Sequence, residues 1–479
     1  MNKAIFAIDL GTTATKVLAF DEQLNVLAKF SQSYPILSTS DGFQEQEPAV
    51  LFHAVCEGLK FIARQTGIVP DRLCFSSAMH SLILVGKNHE PLTNAILWSD
   101  IRSAEIAERL RASDWGKEIY AVSGTPVHPM SPLCKLRWFR EKYPALLSSA
   151  SKLVSIKDYI LFLLTGAWCT DWSMASATGL WDILTNDWHP EALVWAGISR
   201  EQLPALGKVT DLAGYLTNEA AEKTQLPSGT PIVLGGSDGC LANLGALVLD
   251  AQTACVSIGT SGAYRCTVAA PAIDVEAQLF NYRIDEKRLV CGGATNNGGN
   301  VYQWLREQWG WSSLDDKSIG SIAPGAEGLF FLPYLLGERA PIWDARASGA
   351  IIGLKWKHTP VQVARAAMEG VAYSLYQISR KLPMPVSALS VGGGFTQSPT
   401  WLQILSDVFN LPLLIQDSAE ISARGAALIA LKQAGVIADY DLFLATEASE
   451  PLRVYPIAEN HEVYRRNFPV FEGMYMKIG

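Results

Sequence analysis

Two short turns in this 479-residue chain, Gly11-Thr12-Thr13 and Gly259-Thr260-Ser261, join a glycine to hydroxyl side chains in a pattern suited to anions. Glycine lets the backbone approach a ligand closely, and successive N–H groups with Thr or Ser hydroxyls can ring a phosphate. Either turn alone reads equally well as an ordinary hairpin. Their recurrence 248 residues apart favours a pair of sites holding different phosphates of one nucleotide. The copies differ two residues upstream, where Asp9 in the first is matched by Ser257 in the second. A carboxylate beside a phosphate turn suits magnesium, directly or through water, because that ion takes oxygen ligands and keeps several waters. Bonding of Asp9 to its own turn is the alternative.

Two further positions have chemical potential. Asp238 follows the apolar run Ile232 to Leu234 through Gly235-Gly236-Ser237 and leads into a helix. Asp is a preferred helix N-cap, but a carboxylate at a strand end is also placed to take the proton from a sugar hydroxyl as that oxygen attacks phosphorus. Gly392-Gly393-Gly394 lies between the strand-like Val386 to Val391 and a helix opened by Ser398-Pro399, which makes it a tight turn or a shelf for a nucleoside. The chain has no G-x-x-x-x-G-K-[ST] and no protein-kinase set of glycine loop, H-R-D and D-F-G. A nucleotide must therefore be held by another architecture.

The elements that position these groups show as alternation. Ala4 to Ile8 and Lys16 to Phe20 read as strands around the first turn, and Ala254 to Ile258 and Ala263 to Val268 around the second. Periodicity predicts a helix over Phe52 to Gln65, a strand over Leu73 to Ala78 and a helix over Ile101 to Arg111. A strand over Ile232 to Gly235 then feeds a helix over Cys240 to Leu249. The clearest helix starts at Thr359, with Pro360 at its first position and Gln362 completing a capping box. The alternation predicts an α/β class with layered sheets. The duplication predicts two related domains, 1–247 and 248–479, with a ligand between the two turns.

Composition excludes several classes. At 49% hydrophobic and 18% charged residues the chain cannot be largely disordered, and a net charge of −8 leaves no nucleic-acid footprint. The longest apolar stretches, such as Ile160 to Leu164 and Ala426 to Leu431, fall far short of the roughly 18 residues of a membrane span. The first apolar run turns polar at Asp9, too soon for a secretory core. Eight scattered cysteines without a C-x-x-C pair predict reduced, mostly buried thiols, so a cytoplasmic protein with no membrane partner is expected.

Along essentially its whole length the chain resembles the FGGY family of carbohydrate kinases. Asp9-Leu10-Gly11-Thr12-Thr13-Ala14-Thr15-Lys16 is similar to the family's first phosphate motif, and Ile258-Gly259-Thr260-Ser261-Gly262 to its second. Met130-Ser131-Pro132, Lys135-Leu136, Trp138-Phe139 and Glu141 follow the first family signature, with Lys142 standing where an amide, Glu or His is usual. Gly349, Ile351, Gly353, Leu354, Gln362, Val363, Ala366, Ala367, Met368 and Glu369 follow the second. The resemblance implies an actin-like fold: two ribonuclease-H-like domains with an ATP and sugar cleft between them. It implies ATP and magnesium as cofactors, Asp238 as general base and Asp9 as the magnesium-side carboxylate. Phosphate contacts fall to Gly11, Thr12, Thr13, Lys16, Gly259, Thr260 and Ser261, and nucleotide contacts to Gly299, Gln303 and Gly393. A homodimer is common in such kinases. The rival from another class is a non-catalytic, actin-like ATP-binding switch, against which Asp238 and the complete second signature count.

Within the family, Ser76-Ser77-Ala78-Met79-His80-Ser81 and Gly124-Thr125-Pro126-Val127-His128-Pro129-Met130-Ser131-Pro132 look like the gluconate kinases, as does Gly337-Glu338-Arg339-Ala340-Pro341. Xylulose kinases share the Met-His pair and Trp98-x-Asp100-x-Arg102, so a ketose or polyol is the alternative substrate. The resemblance thus implies phosphorylation of the terminal hydroxyl of D-gluconate, with Met79, His80, Trp98, Arg102 and His128 facing the sugar. A carboxylate substrate requires donors, and His80, Arg102, His128, Lys135 and Lys157 are the candidates. Each has another reading: a core histidine for His80, pairing with Asp100 or Glu105 for Arg102, and solvated positions for the two lysines.

Overall fold

The computed structural model describes residues 4–478 apart from 277, 312, 383, 416–419 and 445–451. The chain forms two compact units. The first comprises Met1–Leu249, Ala269–Val290 and Glu420–Glu447, and the second Asp250–Val268, Cys291–Ala419 and Ala448–Gly479.

The strands of the first unit's main sheet are β1 (Ile5–Leu10), β2 (Ala14–Phe20), β3 (Val26–Ser33), β4 (Arg72–Ser77), β5 (Leu212–Tyr215) and β6 (Pro231–Ser237), in the order β5-β6-β4-β1-β2-β3. β1, β2 and β3 form an antiparallel meander, while β4 runs parallel to both β1 and β6. Helices α1 (Pro48–Thr66), α2 (Pro132–Lys142), α3 (Ile156–Thr165), α4 (Trp172–Ser176) and α5 (Asp238–Gly245) complete what the site needs. The two-residue period of β1 explains the layering. Phe6, Ile8 and Leu10 pack with Leu51, Val55 and Leu59 of α1 and with Ile160 and Leu164 of α3. Ile5 and Ala7 point the other way, toward Leu241 and Leu244 of α5 and toward Ala423 and Ala427 of the late helix Ile421–Gln433. Because both sheet faces are covered, function is left to the strand ends.

The second unit repeats the plan. Six of the seven strands of its sheet, β7 (Thr253–Ile258), β8 (Gly262–Val268), β9 (Leu289–Thr295), β10 (Ala388–Gly392), β11 (Leu413–Ile415) and β12 (Leu452–Val454), follow the order β9-β8-β7-β10-β11-β12. β7 and β8 are an antiparallel hairpin, β10 is parallel to β7 and β11, and β12 is antiparallel to β11. The order of these six strands and the directions of β7, β8, β10, β11 and β12 thus match those of their counterparts in the first unit, with β5 and β12 as antiparallel edges. Register matches too: Asp9 of β1 lies beside Ser76 of β4, and its counterpart Ser257 lies beside Gly392 of β10. Helices α6 (Gly299–Gln308), α7 (Pro360–Arg380) and α8 (Pro399–Phe409) belong to this unit, and α7 opens with the capping box of Thr359 and Gln362.

Two local expectations shift. The helix expected from Ile101 starts at Ala104, because the Asp100 carboxylate accepts the Arg102 N–H and turns the chain first. The helix expected from Cys240 starts at Asp238, so Ser237 rather than Asp238 takes the cap position. All eight cysteines are free, seven of them buried. Among the described residues no helix is long and apolar enough to cross a membrane.

Candidate active site

Three adjacent parallel strands of the first unit end side by side. Asp9 pairs with Ser76, and Gly236 also pairs with Ser76, so β1, β4 and β6 reach one edge in register. The segments leaving that edge are the turn Gly11-Thr12-Thr13, the loop Ala78-Met79-His80 and the start of α5 at Asp238. Strands lie about 4.8 Å apart, so β1 and β6 stand roughly 10 Å from each other here. The sheet therefore gathers the Gly11-Thr12-Thr13 turn, the loop to His80 and the Asp238 carboxylate on one edge.

The first turn is held by its carbonyls. Tyr34 donates its hydroxyl to the Gly11 oxygen at 2.6 Å, Gln46 its amide to the Thr12 oxygen at 2.6 Å, and the Tyr34 N–H bonds the Thr13 oxygen at 3.1 Å. In a planar trans peptide the N–H opposes the C=O, so the N–H groups of Thr12 and Thr13 face away from these donors. Burial pushes the Tyr34 phenol up to about 12, which keeps it a donor. The Trp98 indole donates to Thr12 Oγ1 at 3.0 Å, leaving that hydroxyl's own proton to point elsewhere. Tyr34 and Gln46 carried no signal in the sequence, because their roles depend on the fold bringing them to the turn.

Asp9 closes β1. Its Oδ1 is out of solvent and has no hydrogen-bond partner among the described residues. Burial raises the carboxyl above its ordinary range, while the Ser76 hydroxyl and Lys16 oppose that shift. Lys16 itself binds Glu420 at 2.8 Å, and Lys29 joins the same carboxylate. An orphaned, buried carboxylate oxygen suits magnesium, which prefers oxygen and binds proteins through one or two carboxylates rather than a full cage. No cluster of three or more potential metal-ligating side chains occurs among the described residues.

Asp238 leaves β6 as the first residue of α5. Its Oδ1 accepts the Gly239 N–H at 2.7 Å, and its carbonyl accepts the Ser422 hydroxyl at 3.3 Å. Gly235 just before it has φ +64°, and a Cβ there would sit 1.8 Å from the Phe75 oxygen, so only glycine fits. Beneath this bend, Ser173 Oγ accepts the Ser237 N–H at 2.7 Å.

The remaining sugar-side candidates divide sharply. His80 has φ +67° and places Nδ1 2.8 Å from the Ala177 oxygen and Nε2 3.4 Å from the Tyr282 hydroxyl, with Met79 beside it in the chain. Half-buried His128 accepts the Met130 N–H on Nδ1 at 3.2 Å. Arg102 spans Asp100 and Glu45, at 2.8 and 2.6 Å, and lies over the rings of Phe43 and Trp138. The pairing with Asp100, one of the two expected, is present, and Glu45 adds a second carboxylate. Solvated positions for Lys135 and Lys157 are overturned, since both are fully buried. Lys135 donates to the carbonyls of His80 at 2.6 Å, Leu97 at 2.7 Å and Ile96 at 3.2 Å. Burial draws its ammonium down to about 7, opposed by Asp100. Lys157 pairs with Asp171.

In the second unit, the other turn packs against α6. The N–H groups of Gly299 and Gly298 bond the oxygens of Gly259 and Thr260, at 2.7 and 3.2 Å. A Cβ on Gly298 would fall 2.6 Å from the Ser261 backbone, and one on Gly393 (φ +109°) 2.6 Å from the Ile258 oxygen. Gly259-Thr260-Ser261, Gly299 and Gly393 are therefore brought together. Gln303 lies one turn into α6 and donates to Glu307 at 2.8 Å. Glu338, unassigned by sequence, accepts Thr295 Oγ1, Asn297 Nδ2 and the N–H groups of Asn296 and Arg339. It anchors the loop leading into α6; the Gly337 to Pro341 motif was its only signal.

Residues 4–245 match the N-terminal domain, and residues 254–434 the C-terminal domain, of the FGGY family of carbohydrate kinases. Gluconokinase of Bacillus subtilis (strain 168) is 35% identical over 492 residues, covering 98% of this chain and 95% of that protein. The structure of gluconate kinase from Lactobacillus acidophilus matches with a TM-score of 0.94 at 33% identity, covering 100% of this chain and 98% of that one. Ligand-bound xylulose kinase from Lactobacillus acidophilus matches with a TM-score of 0.95 at 34% identity, covering 99% and 98%.

Proposed function

This chain belongs to the FGGY family of carbohydrate kinases, and from that premise we propose that it moves the terminal phosphoryl group of ATP to the terminal hydroxyl of D-gluconate, giving 6-phosphogluconate and ADP. The observation that carries the chemistry is the common sheet edge from which the first turn and Asp238 emerge. The choice of gluconate rests on the 35% identity to a gluconokinase.

Phosphoryl transfer needs alignment and charge neutralisation more than covalent help. Asp238 takes the proton of the attacking hydroxyl as the new oxygen–phosphorus bond forms and the bond to the leaving ADP oxygen breaks. The N–H groups of Thr12 and Thr13, with the Thr12 hydroxyl set by Trp98, meet phosphate oxygens. Asp9 Oδ1 would hold magnesium, directly or through water, which supplies further charge neutralisation when bound. Gly259, Thr260 and Ser261 receive another phosphate, and Gly299, Gln303 and Gly393 border the nucleoside. In this reading residues 1–247 carry the sugar site, the first phosphate turn and the base, and 248–479 carry the second turn and nucleoside site.

Arg102, Lys135 and Lys157 are engaged inside the first unit, and both ring nitrogens of His80 face the Ala177 oxygen and the Tyr282 hydroxyl, so of the five candidates His128 is the donor proposed for the gluconate carboxylate. His128 uses Nδ1 as an acceptor, so its ring proton sits on Nε2, the polarity a carboxylate needs. Eight free thiols suit a reducing cytoplasm. The second reading, a xylulose kinase, is favoured by the match to such an enzyme at 34% identity.

A coupled ADP-release assay across gluconate, xylulose, ribulose and glycerol tests the assignment. The highest kcat/KM is expected with gluconate, whereas turnover of a neutral ketose alone would replace gluconate by the second reading. Asp238→Asn should retain ATP binding and lose about 10²- to 10⁴-fold in kcat. Unchanged turnover would remove Asp238 as the base.

A further inference from the structure

We infer that Lys157, Asp171 and Ser173 form a buried positioning relay that sets the backbone at Ser237 and so aims Asp238. The inference rests on the reading of Asp238 as the base, but its geometry is independent of that reading. Lys157 at the start of α3 pairs with Asp171 and also donates to the Leu234 carbonyl at 3.1 Å. The Asp171 carboxylate caps α4, accepting the N–H groups of Ser173 and Met174 at 2.8 and 3.1 Å, and it accepts the Ser173 hydroxyl proton as well. A hydroxyl has one proton and two lone pairs. With its proton committed to Asp171, Ser173 Oγ must turn a lone pair outward, and that lone pair receives the Ser237 N–H at 2.7 Å.

The relay therefore grips β6 at both ends of its final bend: Lys157 at Leu234 and Ser173 at Ser237. Between those points lie Gly235, in the left-handed region, and Gly236, where the pairing of β6 with β4 shifts register. A bend that departs from the regular ladder has fewer sheet bonds to fix its direction, and side chains supply the constraint instead. The next residue after the grip is Asp238. Lys157, Asp171, Ser173 and Ser237 are all fully buried, so water cannot replace a lost partner. Ion pairs buried this completely contribute little net stability compared with apolar packing. Their value here is geometric: a fixed carboxylate fixes a hydroxyl rotor, which fixes a peptide plane one residue from the base.

The test uses variants of the full-length protein, with thermal melts to confirm folding. Ser173→Ala removes only the hydroxyl. Its kcat with ATP and the best sugar of the panel should fall about tenfold to a hundredfold, with KM for both substrates within about twofold, because misplacing a reacting group by about 1 Å costs up to ~10² in rate. Gly236→Ala is the second variant: its methyl would stand 2.8 Å from Ser173 Oγ and displace the hydroxyl without removing it, so kcat should fall similarly. Ser173→Cys, which keeps a polar hydrogen-bonding atom, should recover part of the loss. The deciding measurement adds Ser173→Ala to Asp238→Asn. If Ser173 acts through the Asp238 carboxylate, the double variant is no slower than Asp238→Asn alone. A full additional loss in the double variant, or a folded Ser173→Ala with kcat within twofold of the parent, overturns the relay. If instead Asp238→Asn retains full turnover, the assignment of the base fails first, and the relay has nothing to aim.

Discussion

Replacing Asp9 by Asn should make the metal-free protein more stable while disabling it. Among the described residues Asp9 Oδ1 is buried without a partner, and burial holds the carboxyl above its ordinary range. An unsatisfied buried polar group costs about 1–3 kcal/mol, more when charged. Lys16 and the Ser76 hydroxyl offset part of this, and the asparagine amide brings needs of its own, so about 1 kcal/mol of relief is a fair expectation. In a unit of this size 1 kcal/mol corresponds to roughly 2–4 °C in melting temperature. Differential scanning fluorimetry in EDTA at neutral pH should show Asp9→Asn melting that much higher than the parent. Adding magnesium and ATP should raise the parent's melting temperature and shift the variant far less, and ADP release should fall by at least about 10². A variant that melts at or below the parent in EDTA, or that keeps the full ligand shift, would refute the view that Asp9 is retained at a stability cost for the sake of a cation.

Trp98→Phe removes the bond to Thr12 Oγ1 at 3.0 Å while keeping the ring; since a typical hydrogen bond is worth about 0.5–1.5 kcal/mol, KM for ATP should rise about threefold to tenfold in steady-state kinetics. Asp158, buried at the start of α3, gives a pH prediction: burial pushes its carboxyl from 3.8 up to about 6, opposed by Lys157 and by the Ser155 and Thr170 bonds. A raised carboxyl binds its proton more tightly in the folded state, so this stabilising contribution is complete below pH 4 and lost as pH rises through 6, amounting to about 3 kcal/mol. Melting curves from pH 4 to 7 should therefore show Asp158→Asn gaining on the parent as pH rises; a constant difference would contradict the shift.

Much of the fold was legible because its signals are local. The strands around Gly11 and Gly259 are short apolar runs broken by turn residues, and their repetition already implied the matching sheets later seen in both units. Asp9, Asp238 and the two hydroxyl turns could be picked out for the same reason: each sits where a strand ends. Burial of the cations was not legible. Lys135 finds its acceptors at His80, Ile96 and Leu97, and Arg102 finds one of its carboxylates at Glu45, so neither environment is written in neighbouring residues. Lys135 looks solvated from its residue type alone until three distant carbonyls close around it.

Those buried cations bear on specificity. Lys135 fixes the carbonyls of His80 and Leu97, and Trp98, next in the chain, reaches Thr12 of the first turn. The loop at His80 and the Gly11-Thr12-Thr13 turn are thus parts of one framework, built from charges that are consumed in building it. Fold similarity is nearly the same for a gluconate kinase and a xylulose kinase, at TM-scores of 0.94 and 0.95, so discrimination between an acid and a ketose has to arise in individual side chains. If the framework cations do not meet the substrate, hydrogen-bond donors such as His128 must do the sorting. Such a site can still be stringent, because an analogue that leaves a buried donor unpaired is rejected by as much as ~10⁴- to 10⁵-fold. Selectivity would then depend on how completely those donors are enclosed when the sugar binds, and a substitution at His128 should change the ratio of kcat/KM for the two sugars more than it changes turnover of either one.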